Sequence, residues 1–321
     1  MRFHASGRMP MIGSGGATPV PVVTDRLSGL FAAIVTPVHD NGHVDLDTLD
    51  RIVDHALVPG VSGICVGGAT GEYPHLEVED RLRVVERAAA RVPSGRSLLV
   101  GIGGPTMGRS IELGEAAMAA GARALLLPMP MFFRYEQSDL GVFAAQVSRA
   151  LRAPCLLYNL PVFTNGLTSS TILALLRDEE FIVGLKDSSG DAANLRLMAQ
   201  ARGSEPWSFL AGDDRLMLSA LDAGWDGAIS GVAGLCPELI AALHEHTAAG
   251  RQTDAARLQA LLDELIVQLS KFPTPWGIRA GLAVRDLQTG PLPLPLTAMR
   301  RHQIAAFTSW FADWLPRALD V

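Results

Sequence analysis

The side chain best suited to covalent chemistry is Lys186, one of only two lysines among 27 basic residues, the other being Lys271. It ends the apolar run FIVGLK, which starts at residue 181. Arginine stays protonated and is a poor nucleophile, whereas a desolvated ammonium can lose its proton. Burial at a strand end would disfavour the charged form and leave free amine to attack a ketone carbon. Position alone is equally compatible with a solvated lysine whose stem lies along a barrel rim. Tyr158 ends a second apolar run, PCLLYN, and its hydroxyl either donates and accepts protons in the same mouth or serves an ordinary hydrogen-bonded core tyrosine. Thr70 lies in Gly67-Gly68-Ala69-Thr70-Gly71-Glu72. Read as a turn entering a helix, this segment offers successive backbone N–H groups and a helix dipole to a carboxylate. A tight turn that needs glycine only for backbone reasons is the alternative.

These residues have to be positioned by something, and the chain supplies a repeating frame. Apolar runs begin at LFAAIV (30), SGICVG (62), SLLVGI (97), RALLLP (123), PCLLYN (154), FIVGLK (181), WSFLAG (207) and DGAIS (226). Each is continuous rather than alternating, as strands covered on both faces are, and each precedes a segment with helical spacing. Eight such units predict a single (β/α)8 barrel over residues 28–248, with chemistry at the C-terminal ends of the strands. A doubly wound sheet would carry GxGxxG after its first strand, where this chain has TPVHDNGHVD. Residues 249–321 read as a helical extension laid on the barrel. In its last helix Phe307, Trp310, Phe311 and Trp314 share one face, to be covered by the chain itself or by another subunit. Residues 1–27 read as a flexible lead-in without a continuous apolar h-region, with Met9 and Met11 as alternative starts.

Composition narrows the function classes. Hydrophobic residues make up 48% and charged residues 19% of the 321 positions, which suits a large buried core and excludes a disordered or fibrous chain. A net charge of -6 with no basic block argues against nucleic acid as a partner. Cys65, Cys155 and Cys236 are too few and too scattered for a disulfide framework or zinc knuckle and read as reduced core residues of a cytoplasmic protein. No apolar run approaches the roughly 20 residues that span a bilayer.

GATGE at 68–72, YNLP at 158–161 and GLKDSSGD at 184–191, with AGDD at 211–214, occur in order on the second, fifth, sixth and seventh units. Over nearly all of residues 28–300 the chain resembles the N-acetylneuraminate lyase and dihydrodipicolinate synthase superfamily of class I aldolases. The resemblance implies a Schiff-base lysine at Lys186, a proton-relaying Tyr158, carboxylate binding by the Ala69–Thr70 segment and a tetramer of barrels. Three departures bear on activity. Ala69 stands where the synthases carry a hydroxyl residue, Phe132 where they borrow a tyrosine from a neighbouring subunit, and Phe163 where an arginine holds a second substrate carboxylate. Phe163 followed by Thr164 is closer to the sialic-acid and sugar-acid lyases, whose distal substrate end is a polyol.

The expected catalytic set is therefore Lys186, Tyr158 and Thr70, with Ala69, Gly71, Phe163, Thr164, Ser188, Asp213 and Asp214 contacting substrate. No cofactor or metal is expected, since the imine is the electron sink. The expected reaction is aldol cleavage or dehydration of a pyruvate-derived 2-oxo acid, a 2-oxo-3-deoxy sugar acid in preference to the synthase substrates. Arg134, in the strand-four loop, is the side chain that threatens this preference if it reaches the Phe163 region. Two rivals remain. A metal-dependent barrel enzyme would need converging ligands, but His39 and His43 sit in the first loop and His244 and His246 on a helix. A 2-oxo-acid sensor without turnover is suggested by Ala69 and Phe132.

Overall fold

The computed structural model describes residues 26–320. Eight parallel strands close in sequence order into one barrel, and β8 pairs with β1 from Gly29 opposite Gly227 to Ala32 opposite Ser230. The strands are β1 (Gly29–Ala33), β2 (Val61–Val66), β3 (Ser97–Gly101), β4 (Ala124–Pro128), β5 (Cys155–Asn159), β6 (Ile182–Asp187), β7 (Ser208–Ala211) and β8 (Gly227–Ser230). All eight lie within the apolar runs or extend no more than one residue beyond them at either end. The surrounding helices are α1 (Leu46–Ala56), α2 (Val78–Arg91), α3 (Met107–Ala119), α4 (Gln137–Leu151), α5 (Ser169–Asp178), α6 (Ala192–Arg202), α7 (Met217–Asp222) and α8 (Pro237–Ala248).

The continuous polarity of the runs has a direct structural cause. Alternate residues of each strand point inward and outward, and both directions are apolar here. Phe31, Leu99, Leu126, Leu156, Leu210 and Ile229 fill the barrel interior. Leu30, Ile64, Val100, Leu125, Leu157 and Phe209 instead belong to the core between strands and helices. The two clusters are separate because the sheet itself stands between them.

Beyond the barrel come α9 (Gln252–Leu269), α10 (Trp276–Val284) and α11 (Ala298–Leu319). Helix α11 packs on α8, α9 and α10, burying Phe307, Phe311 and Trp314 while Trp310 stays partly covered. The Trp314 indole donates to Glu264 Oε2 at 3.2 Å. The aromatic face is thus covered by the chain's own helices. Of the expected N-terminal lead-in, residues 1–25 lie outside the described residues. Among the described residues, no helix is long and apolar enough to cross a membrane, and all three cysteines are buried thiols.

Candidate active site

The last residues of β5 and β6 explain why the dipeptides Tyr-Asn and Lys-Asp recur side by side. Tyr158 is the register partner of Lys186, and Asn159 that of Asp187. Alternation sends the first pair into the barrel mouth and the second toward the helices. Lys186 is 4% exposed and Tyr158 3%, with Nζ 4.2 Å from the centre of the phenol ring. Among the described residues no carboxylate lies within ion-pair distance of Lys186; the other lysine, Lys271, is exposed, and its amine donates to the Gln268 amide Oε1. The outer pair is bonded to itself: Asn159 Nδ2 donates to Asp187 Oδ1 at 3.1 Å, and Asn194 Nδ2 of α6 donates to Asp187 Oδ2 at 2.6 Å. Asn159 Oδ1 in turn accepts from Leu167 N at 3.0 Å. Burial raises the Asp187 carboxyl, and hydrogen bonds from Ser189, Asn194 and Asn159 oppose that shift.

Room for the lysine comes from a missing side chain. A Cβ at Gly212, after β7, would collide with Ser188 Oγ and lie 2.8 Å from Lys186 Cε, so glycine is required for close approach.

A cavity of about 470 Å³ opens above these groups, within the range of small-molecule sites. Lys186, Tyr158, Thr70, Ala69, Phe163, Ser188, Asp213 and Asp214 all line it. Gly71 and Thr164 do not. The Gly71 carbonyl accepts from Thr36 Oγ1 at 2.9 Å, and the buried Thr164 hydroxyl is directed to the carbonyls of Leu160 and Asn165 at 3.1 and 3.3 Å. Arg134 also lies outside the lining. Phe132 is 90% exposed at φ 73° and meets Phe133 edge-on, away from the cavity.

The turn at Thr70 differs from the sequence expectation in one respect. It does not enter a long helix: a three-residue 3-10 turn, Tyr73–His75, follows, and α2 begins only at Val78. Glu72 is left-handed and Pro74 lacks a donor, which interrupts helical bonding. Any anion at this turn is held by its own N–H groups and not by a helix dipole. Among the described residues, nothing accepts from the N–H groups of Ala69 or Thr70, which leaves both donors available.

Several cavity residues were invisible to sequence reasoning. Arg215 places a guanidinium in the wall, but Asp213 accepts from it twice, from Nε at 3.0 Å and Nη2 at 2.6 Å. Beside it Asp214, an expected substrate contact, lies deeper, where burial pushes its carboxyl up to about 6, with Ser230, the Val232 N–H and Lys186 opposing the shift and Asp213 adding to it. Tyr73 is buried beside the site; burial raises its phenol to about 12, with the Arg81 guanidinium 5.1 Å from its ring pulling the other way. The far wall is built from α9, α10 and the segment between them, through Ile266, Leu269, Phe272, Pro275 and Ile278. Only the hydrophobic pattern of these helices was legible beforehand, not the direction they face. No group of three His, Cys, Asp or Glu side chains is placed to hold a metal ion among the described residues.

Fold and site together define a barrel enzyme of the lyase class. The sequence profile of the dihydrodipicolinate synthetase family matches residues 26–310. A 4-hydroxy-tetrahydrodipicolinate synthase of Sorangium cellulosum is 33% identical over 288 residues, covering 87% of this chain and 94% of that protein. A solved structure of YagE, a prophage protein of the dihydrodipicolinic acid synthase family from E. coli K12 in complex with pyruvate, superposes with a TM-score of 0.83 at 25% identity, over 90% of this chain and 98% of the other. The sialic acid aldolase of Ruminococcus gnavus has the same fold, with a TM-score of 0.82 at 24% identity over 91% and 99% of the two chains. The chain belongs to the dihydrodipicolinate synthetase family and is a lyase of the class I aldolase type.

Proposed function

We propose that this enzyme forms a Schiff base between Lys186 and the C2 carbonyl of a pyruvate-derived 2-oxo acid and then cleaves a carbon-carbon or carbon-oxygen bond of the adduct. The observation that carries the reading is the buried register pair Lys186–Tyr158 facing the unbonded N–H groups of Ala69 and Thr70 across one cavity. In the forward sense the substrate carboxylate rests on those N–H groups. The amine adds to C2 and water leaves, giving a protonated imine that accepts an electron pair. Tyr158 takes the proton of the C4 hydroxyl as the C3–C4 bond breaks, releasing an aldehyde and leaving an enamine that is protonated at C3 and hydrolysed to pyruvate. Loss of a hydroxyl from the same imine gives dehydration instead. The chemistry is complete without a metal or cofactor.

For the distal substrate end we favour a 2-oxo-3-deoxy sugar acid over aspartate semialdehyde. Phe163 offers no charge to a second carboxylate, and Arg215 is already neutralised by Asp213. An unpaired carboxylate against that wall bears a desolvation cost that a hydroxyl largely avoids. Asp213 and Arg215 side by side accept from and donate to hydroxyl groups. The Arg215 guanidinium is also the one observation favouring the second reading, a dihydrodipicolinate synthase despite Phe163. A cytoplasmic homotetramer completes the proposal. Its support is the family resemblance and the exposed apolar side chains Phe132 and Phe133 after β4 and Val162 and Phe163 after β5, and sedimentation analysis tests the assembly.

Treatment with pyruvate and borohydride, followed by peptide mass analysis, is the direct test. A reduced adduct on Lys186 is expected; an adduct on Lys271, or none where pyruvate binds, overturns the mechanism. Pyruvate release from a panel of 2-oxo-3-deoxy sugar acids, set against condensation of pyruvate with aspartate semialdehyde, separates the two substrate readings.

A further inference from the structure

The turn that presents Ala69 and Thr70 is tied to a helix outside the barrel by a buried ion pair that the catalytic steps do not use. Glu72 and Arg279 of α10 are 6% and 4% exposed, with Arg279 Nη1 donating to Glu72 Oε2 at 2.9 Å. The rest of the guanidinium is equally committed. Nε donates to Thr289 Oγ1 at 3.1 Å, and Nη2 to the carbonyls of Thr289, Gly290 and Pro291 at 2.8, 3.2 and 2.7 Å.

The bonds close into a circuit around the site. Thr289 O also accepts from Val38 N at 3.1 Å, while Thr36 Oγ1, two residues earlier, donates to Gly71 O at 2.9 Å. Glu72 N completes the turn by donating to Ala69 O at 3.0 Å. The same turn and helix also meet inside the cavity. A Cβ at Gly231 would lie 3.1 Å from Thr70 Oγ1 and 3.5 Å from Ile278 Cδ1, so Thr70 and the residue before Arg279 border the same part of the cavity, beside the end of β8.

Electrostatics explains why a cation is needed at this point. Glu72 stands two residues beyond Thr70, and among the described residues its buried Oε1 has no hydrogen-bond partner, the His75 imidazole Nδ1 lying 3.6 Å from it. An uncompensated carboxylate there would repel a substrate carboxylate arriving at the turn and would leave a charge buried alone. Arg279 removes the repulsion and fixes the turn in one movement.

We infer that Glu72 and Arg279 are positioning residues that set the affinity of the carboxylate turn and couple it to the C-terminal wall of the cavity. The inference rests on the assignment of that turn to the substrate carboxylate. The helical extension is then part of the binding machinery and not a passive cover.

The test compares Glu72→Gln, Arg279→Lys, Arg279→Met and the double variant Glu72→Gln/Arg279→Met with the parent enzyme. For each, the pyruvate concentration giving half-maximal borohydride adduct on Lys186 is measured beside the adduct yield at saturation and the melting temperature. Arg279→Met should raise the half-saturating concentration roughly 10- to 100-fold, the scale of misplacing a binding group. Adduct yield at saturating pyruvate should stay full, and Arg279→Lys should recover part of the loss. If Arg279→Met does not fold, the double variant, which leaves no charge unpaired, and the near-isosteric Glu72→Gln carry the test; each should raise the half-saturating concentration as well. Unchanged half-saturation in folded variants overturns the inference, as does a fall in saturating yield without a change in half-saturation. If the parent enzyme gives no Lys186 adduct, it is the Schiff-base reading that fails. Pyruvate binding by calorimetry then decides the ion pair's role separately: weaker binding in the variants supports it and unchanged binding overturns it.

Discussion

The two walls of the cavity are built by different rules. The near wall, with Lys186, Tyr158 and Ser188, stands on β5 and β6 and the residue that follows β6, and its geometry is set by strand register and by the Asn159–Asp187–Asn194 bonds behind it. The far wall is made by the loop after β5, by α9 and α10 and by the segment between them, and it is largely apolar: Val162, Phe163, Ile266, Leu269, Phe272 and Ile278. Parallel strands hold neighbouring side chains at a separation that cannot drift, which suits bond-making. Loops and added helices tolerate substitution, which suits substrate choice. One wall should therefore control whether the reaction occurs, and the other which molecule undergoes it.

The largest effect that sharpens this division is at Lys186. Lys186→Arg should fold with an unchanged melting temperature yet yield no borohydride adduct and no turnover, because charge and bulk survive while the nucleophile is lost. Retained turnover in a purified variant would dissolve the distinction between the walls. Next in size, Tyr158→Phe removes one hydroxyl and keeps the ring that faces Lys186. Its kcat should fall roughly 100-fold or more with the true substrate, while the adduct with pyruvate still forms. If kcat does not change, the proton leaves by another group, and Tyr73 becomes the first to examine.

On the far wall the effect should be a change of preference. Phe163→Arg adds a guanidinium without an assigned partner, and the ratio of kcat/KM for aspartate semialdehyde condensation to that for sugar-acid cleavage should rise by about tenfold. A fall in both activities by the same factor would mean that Phe163 serves the chemistry and not the choice.

The smallest effect concerns Asp214, which lies between the walls. Its carboxyl is raised from 3.8 to about 6 by burial, so the folded state holds the proton more tightly than the unfolded chain. The stability this contributes is fully present below about pH 4 and is lost as the pH rises through about 6. The change is on the order of 3 kcal/mol before relaxation and water entry reduce it. Asp214→Asn should remove that dependence, so that between pH 4 and pH 7 its melting temperature falls less than that of the parent. Identical pH dependence of the two melting curves would show that Asp214 is hydrated in the folded protein.

Read along the chain, the apolar runs determine the number and order of strands because a sheet covered on both faces needs apolar residues in both directions. The rarity of lysine and the strand-end positions of Lys186 and Tyr158 mark the near wall before any coordinates, since position in a βα unit places a residue at the mouth. Register was not legible: the opposition of Tyr158 to Lys186 depends on how two strands slide against each other, and on bulges such as the one between Cys155 and Leu156. Nor were the orientations of Thr164 and Gly71, which turn their polar atoms to neighbouring backbone and hydroxyl groups because buried hydroxyls and carbonyls must be bonded. Ile278 and the Glu72–Arg279 pair were hidden for a plainer reason. Glu72 and Arg279 are 207 residues apart, and a contact of that separation exists only once the barrel has closed and α10 has come to lie across its mouth.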